Sequence, residues 1–225
     1  MVAAVKPQVA FFEALGSEGV GALEEVVAHA KQAGLIVIVD AKRGDIGSTA
    51  EAYAHALIDD AGPLGAHAAT VNPYLGPESL QPFALRCHQG KGLFVLVRTS
   101  NPGSEAWQCT QPSGIAHRVA DWIAQQNEAC DDFGPIGAVI GATLGDEVKA
   151  WREAMPRAWM LVPGFGAQGA GRDDILAHQR PDGLGALVVS ARSVLFPAEG
   201  RDDHDWPTHV AQRARHFAKT VAIER

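Results

Sequence analysis

One recurrence constrains this chain more than any other feature. Seven short apolar runs return at a fairly even interval: VAAVK (2–6), LIVIVD (35–40), AATVN (68–72), LFVLVR (93–98), IGAVIG (136–141), WMLVP (159–163) and ALVVS (186–190). They are rich in Val, Ile and Leu and do not alternate with polar residues. Such runs predict strands covered on both faces, as parallel strands are. Helical patterns fill the gaps. Ser17 is the expected N-cap of the first helix, Leu23, Val26, Val27 and Ala30 share its apolar face, and Gly34 stops it. Segment 48–60 is alanine-rich and helix-prone. Segments 77–87, 115–127, 146–153, 173–178 and 206–223 complete a β-α order repeated seven times. No linker or low-complexity segment interrupts it, so residues 1–225 read as a single domain.

Strand-helix repetition admits two main folds, an open doubly wound sheet or a (β/α)8 barrel. A barrel has eight strands and typically about 250 residues. Here there are seven runs in 225 residues. Either one unit is missing or the sheet is open.

Composition narrows the function. No apolar run approaches the roughly 18 residues of a membrane span. The start, MVAAVKPQ, lacks a basic region followed by an apolar stretch, so no signal peptide is expected. The net charge of −7 argues against a general nucleic-acid binder, which needs a basic face. Cys87, Cys109 and Cys130 are sparse and odd in number, which fits reduced thiols in a cytoplasmic protein. The nine histidines show no zinc-like spacing. Asp202, Asp203, His204 and His209 cluster near the C-terminus, where a solvated acidic loop is favoured over a metal site. No metal is expected.

The chemistry-bearing stretch is VDAKRGDIGSTA, residues 39–50. Alternate strand residues point the same way, so Asp40 and Lys42 share a face at the C-terminal end of their strand. Asp45 follows in the turn. Both candidate folds place active sites at that end. A structural ion pair is the plainer alternative, yet buried ion pairs add little net stability. Lys6 ends the preceding strand and comes near Asp40 if neighbouring strands pair. The result is an alternating Lys–Asp–Lys–Asp array that keeps its lysines charged and its carboxylates ionised.

Two further loops suit phosphate. GFGAQGAG (164–171) follows one strand, and Ala191-Arg192-Ser193 follows the next. Glycine-rich backbone and a helix start favour an anion, and Arg192 adds a bidentate cation. GFGAQG is also a literal GxGxxG. It does not stand at the first strand of its unit, and Ser190 ends the next strand where a dinucleotide site needs an acid. After Arg98, Thr99-Ser100-Asn101 offers a hydroxyl and an amide to a polar heterocycle edge, or a capped turn. Segment 101–114 is a lid or a plain surface loop.

With these residues in view, the chain resembles the orotidine 5′-phosphate decarboxylase family, in its bacterial, longer-chain branch. DAKRGDIGST matches the D-x-K-x-x-D-I-x-x-T signature, and AVKPQ, RTSNPG, VPGFGAQG and SARS follow in order. The resemblance runs from residue 1 to about 200. It implies a (β/α)8 barrel, here with only seven recognisable units because the first strand, with its Asp-Pro motif, is absent. From this follows the expectation of an N-terminally truncated chain or a misassigned start. It further implies cofactor-free decarboxylation of orotidine 5′-phosphate to uridine 5′-phosphate, in a homodimer with shared sites. Lys6, Asp40, Lys42 and Asp45 would be the charged tetrad, with Lys42 protonating C6. Asp45, Ile46 and Thr49 would reach the partner's site. Ser100 would contact the pyrimidine, Pro163 would pack nearby, and Gln168 and Arg192 would grip the phosphate. A related sugar-phosphate decarboxylase or lyase, or an inactive nucleotide-monophosphate-binding dimer partner, are the competing expectations.

Overall fold

The computed structural model describes residues 2–109, 114–165, 171–196 and 205–222. In chain order the elements begin with β1 (Ala4–Val5), α1 (Val9–Glu13), α2 (Gly16–Gln32), β2 (Ile36–Arg43), α3 (Gly47–Ile58), β3 (Ala68–Val71), α4 (Pro77–Cys87) and β4 (Gly92–Arg98). A 3-10 turn (Pro102–Ser104) leads into α5 (Glu105–Gln108) and α6 (Ile115–Gln126). Then come β5 (Ile136–Ile140), α7 (Glu147–Ala154), β6 (Met160–Val162), α8 (Arg172–Leu176), β7 (Ala186–Val188), α9 (Arg192–Leu195) and α10 (Trp206–Val221).

All seven strands pair in parallel, in chain order from β1 to β7. A doubly wound sheet reverses its strand order at a switch point, whereas a barrel does not. The unbroken order therefore selects the barrel, and the sheet curls into part of one. Among the described residues, β1 and β7 are its two margins.

The strands are apolar on both faces because each face meets its own core. On the convex side, Val37, Val39, Leu93, Val95 and Ile140 pack against Leu23, Val27, Ile58, Phe83 and Ile123 of the helices. On the concave side, each strand contributes to a second cluster through Ala4, Ile38, Ala68, Phe94, Val139, Leu161 and Leu187. This is the layered filling of a barrel interior.

Two local expectations differ from what is found. α2 starts at Gly16, so Ser17 lies inside its first turn and caps nothing. A preceding helix, α1, ends at Glu13, and the short link leaves no room for an extended cap at Ser17. Val26 is 43% exposed, so the buried stripe of α2 is Leu23, Val27 and Ala30. Gly34 ends the helix with a φ of +76°, as its left-handed role requires.

Away from the C-terminal ends of the strands, Arg152 clamps the fold. It is buried in α7 and donates to the carbonyls of His178, Met155, Ala158 and Gly185 at 2.8–3.2 Å. Burial pulls its pKa down to about 10, so the guanidinium stays charged at neutral pH. Cys87 is also buried, and burial pushes its thiol up to about 12, which makes it an inert apolar side chain.

Candidate active site

Strand periodicity builds the site floor. Two residues beyond the concave-side Ala4, Ile38, Ala68, Val139 and Leu161 stand Lys6, Asp40, Thr70, Gly141 and Pro163. The apolar filling thus gives way, at the C-terminal end of the sheet, to a polar layer.

Asp40 is its centre. The side chain is buried and accepts four donors. Oδ2 takes the Lys6 ammonium and Gln8 Nε2 at 3.0 Å, and Oδ1 takes the Lys42 ammonium and Thr70 Oγ1 at 2.8 Å. Both oxygens are saturated, as a buried carboxylate requires. Burial is the largest single influence on Asp40 and opposes its ionisation. The adjacent Lys6 and Lys42 together outweigh it, and the carboxyl is held below the usual carboxylate range.

Lys6 reaches Asp40 because β1 and β2 are parallel neighbours, in register at Ala4–Ile36 and Val5–Val37. Lys42 reaches it by a different route from the alternation expected of a regular strand. The register of β2 against β3 slips between Val39–Ala69 and Arg43–Val71, so residues 40–42 bulge opposite Thr70. Among the described residues, Lys42 is the one non-glycine with positive φ, at 48°. A left-handed conformation at such a residue costs on the order of 1–3 kcal/mol and survives where its surroundings enforce it. The enforcing contact is Lys42 N–H to Thr70 Oγ1 at 3.0 Å. Bulges of this kind re-aim side chains beside active sites.

Asp45 contacts neither lysine of its own chain. It is partly exposed, and its Oδ1 accepts from Ile46 N–H at 2.8 Å. Ile46 and Thr49 are exposed at the start of α3. Within one chain the array is therefore Lys6–Asp40–Lys42, with Asp45 outside it.

Ser100 is delivered by a close backbone approach. A Cβ on Gly141 would lie 2.7 Å from Ser100 Cβ and 2.8 Å from Ser100 N. The space above Gly141, on the concave side, is thus filled by Ser100. The loop carrying Ser100 is braced from both ends. Buried Arg98 donates to Thr99 O at 2.9 Å, to Ser104 Oγ at 2.6 Å and to Glu147 of α7 at 3.1 Å. Gln108 of α5 accepts from Thr99 N–H at 2.8 Å. The candidate lid 101–114 is therefore partly helical and pinned, with residues 110–113 outside the described part. Gly141 is supported from behind by His178, whose Nε2 lies 3.1 Å from Gly141 O and whose Nδ1 lies 2.8 Å from Asp174 O. Burial pushes the His178 pKa down, which favours the neutral ring. We expect Gly141→Ala to raise KM about tenfold or more, with a stability loss of about 1–3 kcal/mol from overpacking against rigid backbone. Steady-state kinetics and thermal melting check both, and an unchanged KM would detach Ser100 from substrate binding.

Pro163 is half-buried beyond β6, and its carbonyl accepts from Ala142 N–H at 3.0 Å. Arg192 is exposed at the first turn of α9. Gln168 and most of GFGAQGAG lie outside the described residues, as do Asp202, Asp203 and His204. Among the described residues no group of three or more His, Cys, Asp or Glu side chains is placed to hold a metal ion. The sequence alone does not mark Gln8, Thr70, Gly141 or His178 as site residues. Gln8 stands beside Lys6 in AVKPQ and Thr70 is the single polar residue of AATV, faint signals in either case.

Comparison with known proteins gives the family. The sequence profile described as "Orotidine 5'-phosphate decarboxylase / HUMPS family" matches residues 1–199. An orotidine 5′-phosphate decarboxylase from Rhodopirellula baltica is 48% identical over 206 residues, covering 87% of this chain and 68% of the relative. A Streptomyces avermitilis crystal structure, provisionally assigned the same activity, superposes with a TM-score of 0.84 at 40% identity, covering 99% of this chain and 78% of that one. The Leishmania donovani OMP decarboxylase structure gives 0.79 at 36% identity, over 97% and 81%. With its signature stretch folded into a bulged, lysine-flanked carboxylate at the C-terminal end of a parallel barrel sheet, the chain belongs to the orotidine 5′-phosphate decarboxylase / HUMPS family.

Proposed function

We propose that this chain decarboxylates orotidine 5′-phosphate to uridine 5′-phosphate, without metal or organic cofactor. The observation that carries the reading is the buried Asp40 carboxylate held between the ammonium groups of Lys6 and Lys42. Loss of CO2 breaks the C6–carboxylate bond and leaves its electron pair on C6. The pyrimidine ring delocalises that charge poorly. A fixed ammonium stabilises it as it develops and then donates a proton to C6. Lys42 has that role: its side chain is 42% exposed and so open to a substrate, while Lys6 is 16% exposed and acts on Asp40. The Lys42 amine recovers its proton from solvent.

Ser100, over Gly141, addresses the pyrimidine edge, and Pro163 packs beside it. Gln168 and Arg192 take the phosphate, whose remote binding energy is expressed at the reacting carbon. The arrangement on two successive loops after β6 and β7 supports this division, since barrels bind phosphate there.

A homodimer with shared sites belongs to the same reading. Asp45 stands outside its own chain's array, Thr49 is exposed, and Ile46 is 56% exposed. Phe11 and Leu15, in and just after α1 on the same end of the sheet, are 77% and 70% exposed. That exposure of large apolar side chains supports a covering partner. Three unpaired thiols fit a reducing cytoplasm, and the joining of all seven strands in one sheet fits a single domain. No helix among the described residues is long and apolar enough to cross a membrane.

The test is direct. Purified protein is given orotidine 5′-phosphate, and loss of the substrate's ultraviolet absorbance is followed together with CO2 release. Turnover is expected. Binding of uridine 5′-phosphate without any CO2 would overturn the enzymatic reading, and turnover of a ketose phosphate instead would move the chain to the sugar-phosphate branch.

A further inference from the structure

We propose that Thr70 is a positioning residue for this reaction: its hydroxyl couples the Asp40 carboxylate to the backbone of Lys42, and so aims the proton donor. The proposal deepens the reading above and rests on it for the reaction concerned. It stands on geometry that the signature stretch does not contain, because Thr70 lies on the neighbouring strand, β3.

The hydroxyl is used twice. It donates to Asp40 Oδ1 at 2.8 Å and accepts Lys42 N–H at 3.0 Å. A hydroxyl can do both at once, which neither an ammonium nor a carbonyl can. Its position in the ladder explains why it is needed. Residues 40–42 bulge against β3, so Lys42 N–H has lost the regular carbonyl partner that parallel pairing supplies. Thr70 Oγ1 stands in for that carbonyl. The backbone of Lys42 is thereby held at positive φ, away from the conformation its side chain favours.

The same atom bears on charge. Asp40 meets Lys6, Lys42 and the Gln8 amide on its other contacts. The Thr70 hydroxyl is therefore the one neutral donor that touches both Asp40 and the Lys42 segment. Side-chain contact alone would leave Lys42, half in solvent, free to swing on its flexible stem. Fixing its Cα direction through the main chain limits where the ammonium can go. Thr70 itself is 1% exposed, in a strand with Val71 and Ala69 buried on the opposite face, so it is well held.

The experiment uses the full chain in three forms: wild type, Thr70→Val and Thr70→Ser. Valine keeps the shape and the strand preference and removes the hydroxyl. Serine keeps the hydroxyl. We expect Thr70→Val to lower kcat about 100-fold, the scale of a small misplacement at a reacting centre, with KM within about threefold. Thr70→Ser should stay within about threefold of wild type. The acid limb of kcat should move to higher pH in Thr70→Val, since one donor to the ionised Asp40 is gone. Crystal structures of both variants give a readout independent of turnover: the φ of Lys42 should leave the left-handed region in Thr70→Val and keep it in Thr70→Ser. Should the valine form be insoluble, Thr70→Ala against Thr70→Ser isolates the same hydroxyl. Equal losses in the hydroxyl-free and serine forms would overturn the proposal, as would wild-type kcat in Thr70→Val. So would an unmoved Lys42 backbone, even if the wild type proved inert. An inert wild type with a displaced Lys42 would instead overturn only the assigned reaction.

Discussion

Replacing Lys42 by alanine should lower kcat by about four orders of magnitude while leaving the fold intact. Under the proposed mechanism, two roles are lost together. A positioned proton donor contributes about 10²–10⁴-fold, and a preorganised charge at the developing anion about 10²–10³-fold. The roles are coupled in one ammonium, so their factors do not simply multiply. The fold should survive because the Lys42 side chain is 42% exposed, and its removal leaves Asp40 still paired with Lys6, Gln8 and Thr70. Truncation also relieves nothing at the backbone, since alanine at φ 48° is strained as lysine is. The check is a coupled CO2 assay beside circular dichroism and a melting curve. Activity within tenfold of wild type would remove Lys42 from the mechanism.

The second large effect is on stability. Asp40→Asn should cost about 3 kcal/mol, the lower end for breaking a buried ion pair by removing one partner. In a chain of this size that is a fall in Tm of roughly 10 °C. The cost falls mainly on Lys6, whose side chain is 16% exposed and loses its counter-charge, because Lys42 can turn toward water. An amide NH2 would in addition point a donor at one of the two ammonium groups. The pH dependence has a definite sign. Asp40 is held below its ordinary value of 3.8 in the folded chain. Its contribution is therefore complete above the unfolded value and is lost as pH falls through the folded value. The gap in Tm between wild type and Asp40→Asn should be constant from about pH 7 down to about pH 5. It should narrow only at lower pH. Melting curves at several pH values measure it, and a gap that widens on acidification would contradict the assignment.

Much of this site can be read in the residues, and the reasons are physical. Consecutive parallel strands are usually neighbours, so Lys6 and Asp40 were expected to meet, and they do. Asp40 and Lys42 also meet, though by a bulge rather than by simple alternation. Sequence spacing cannot reveal a register slip that depends on a hydroxyl in another strand. For the same reason Thr70 passed as one polar residue in an apolar run. In the sequence Gly141 is merely the end of an apolar run, because its value lies in the side chain it does not have. α1 is not legible in the sequence, since five residues are too few for a helical period to show. At fold level, seven apolar runs left a barrel and an open sheet both possible, and the chain-order pairing of all seven strands decides between them.

The placement of Lys6 has a further consequence, for local opening. It follows a strand of two residues that, among the described residues, lies at the margin of the sheet and pairs with β2. Such margins open at a small fraction of the free energy that holds central strands. The amides of residues 4–6 should then exchange with deuterium far faster than those of β3 to β5, although Lys6 is as central to the charge array as Lys42. Any anionic nucleotide that binds only when the array is closed must favour the closed margin by mass action. Protection of β1 on adding uridine 5′-phosphate, greater than any change in β4, would report that linkage. With that result, substrate recognition and the closing of a sheet edge would be one equilibrium.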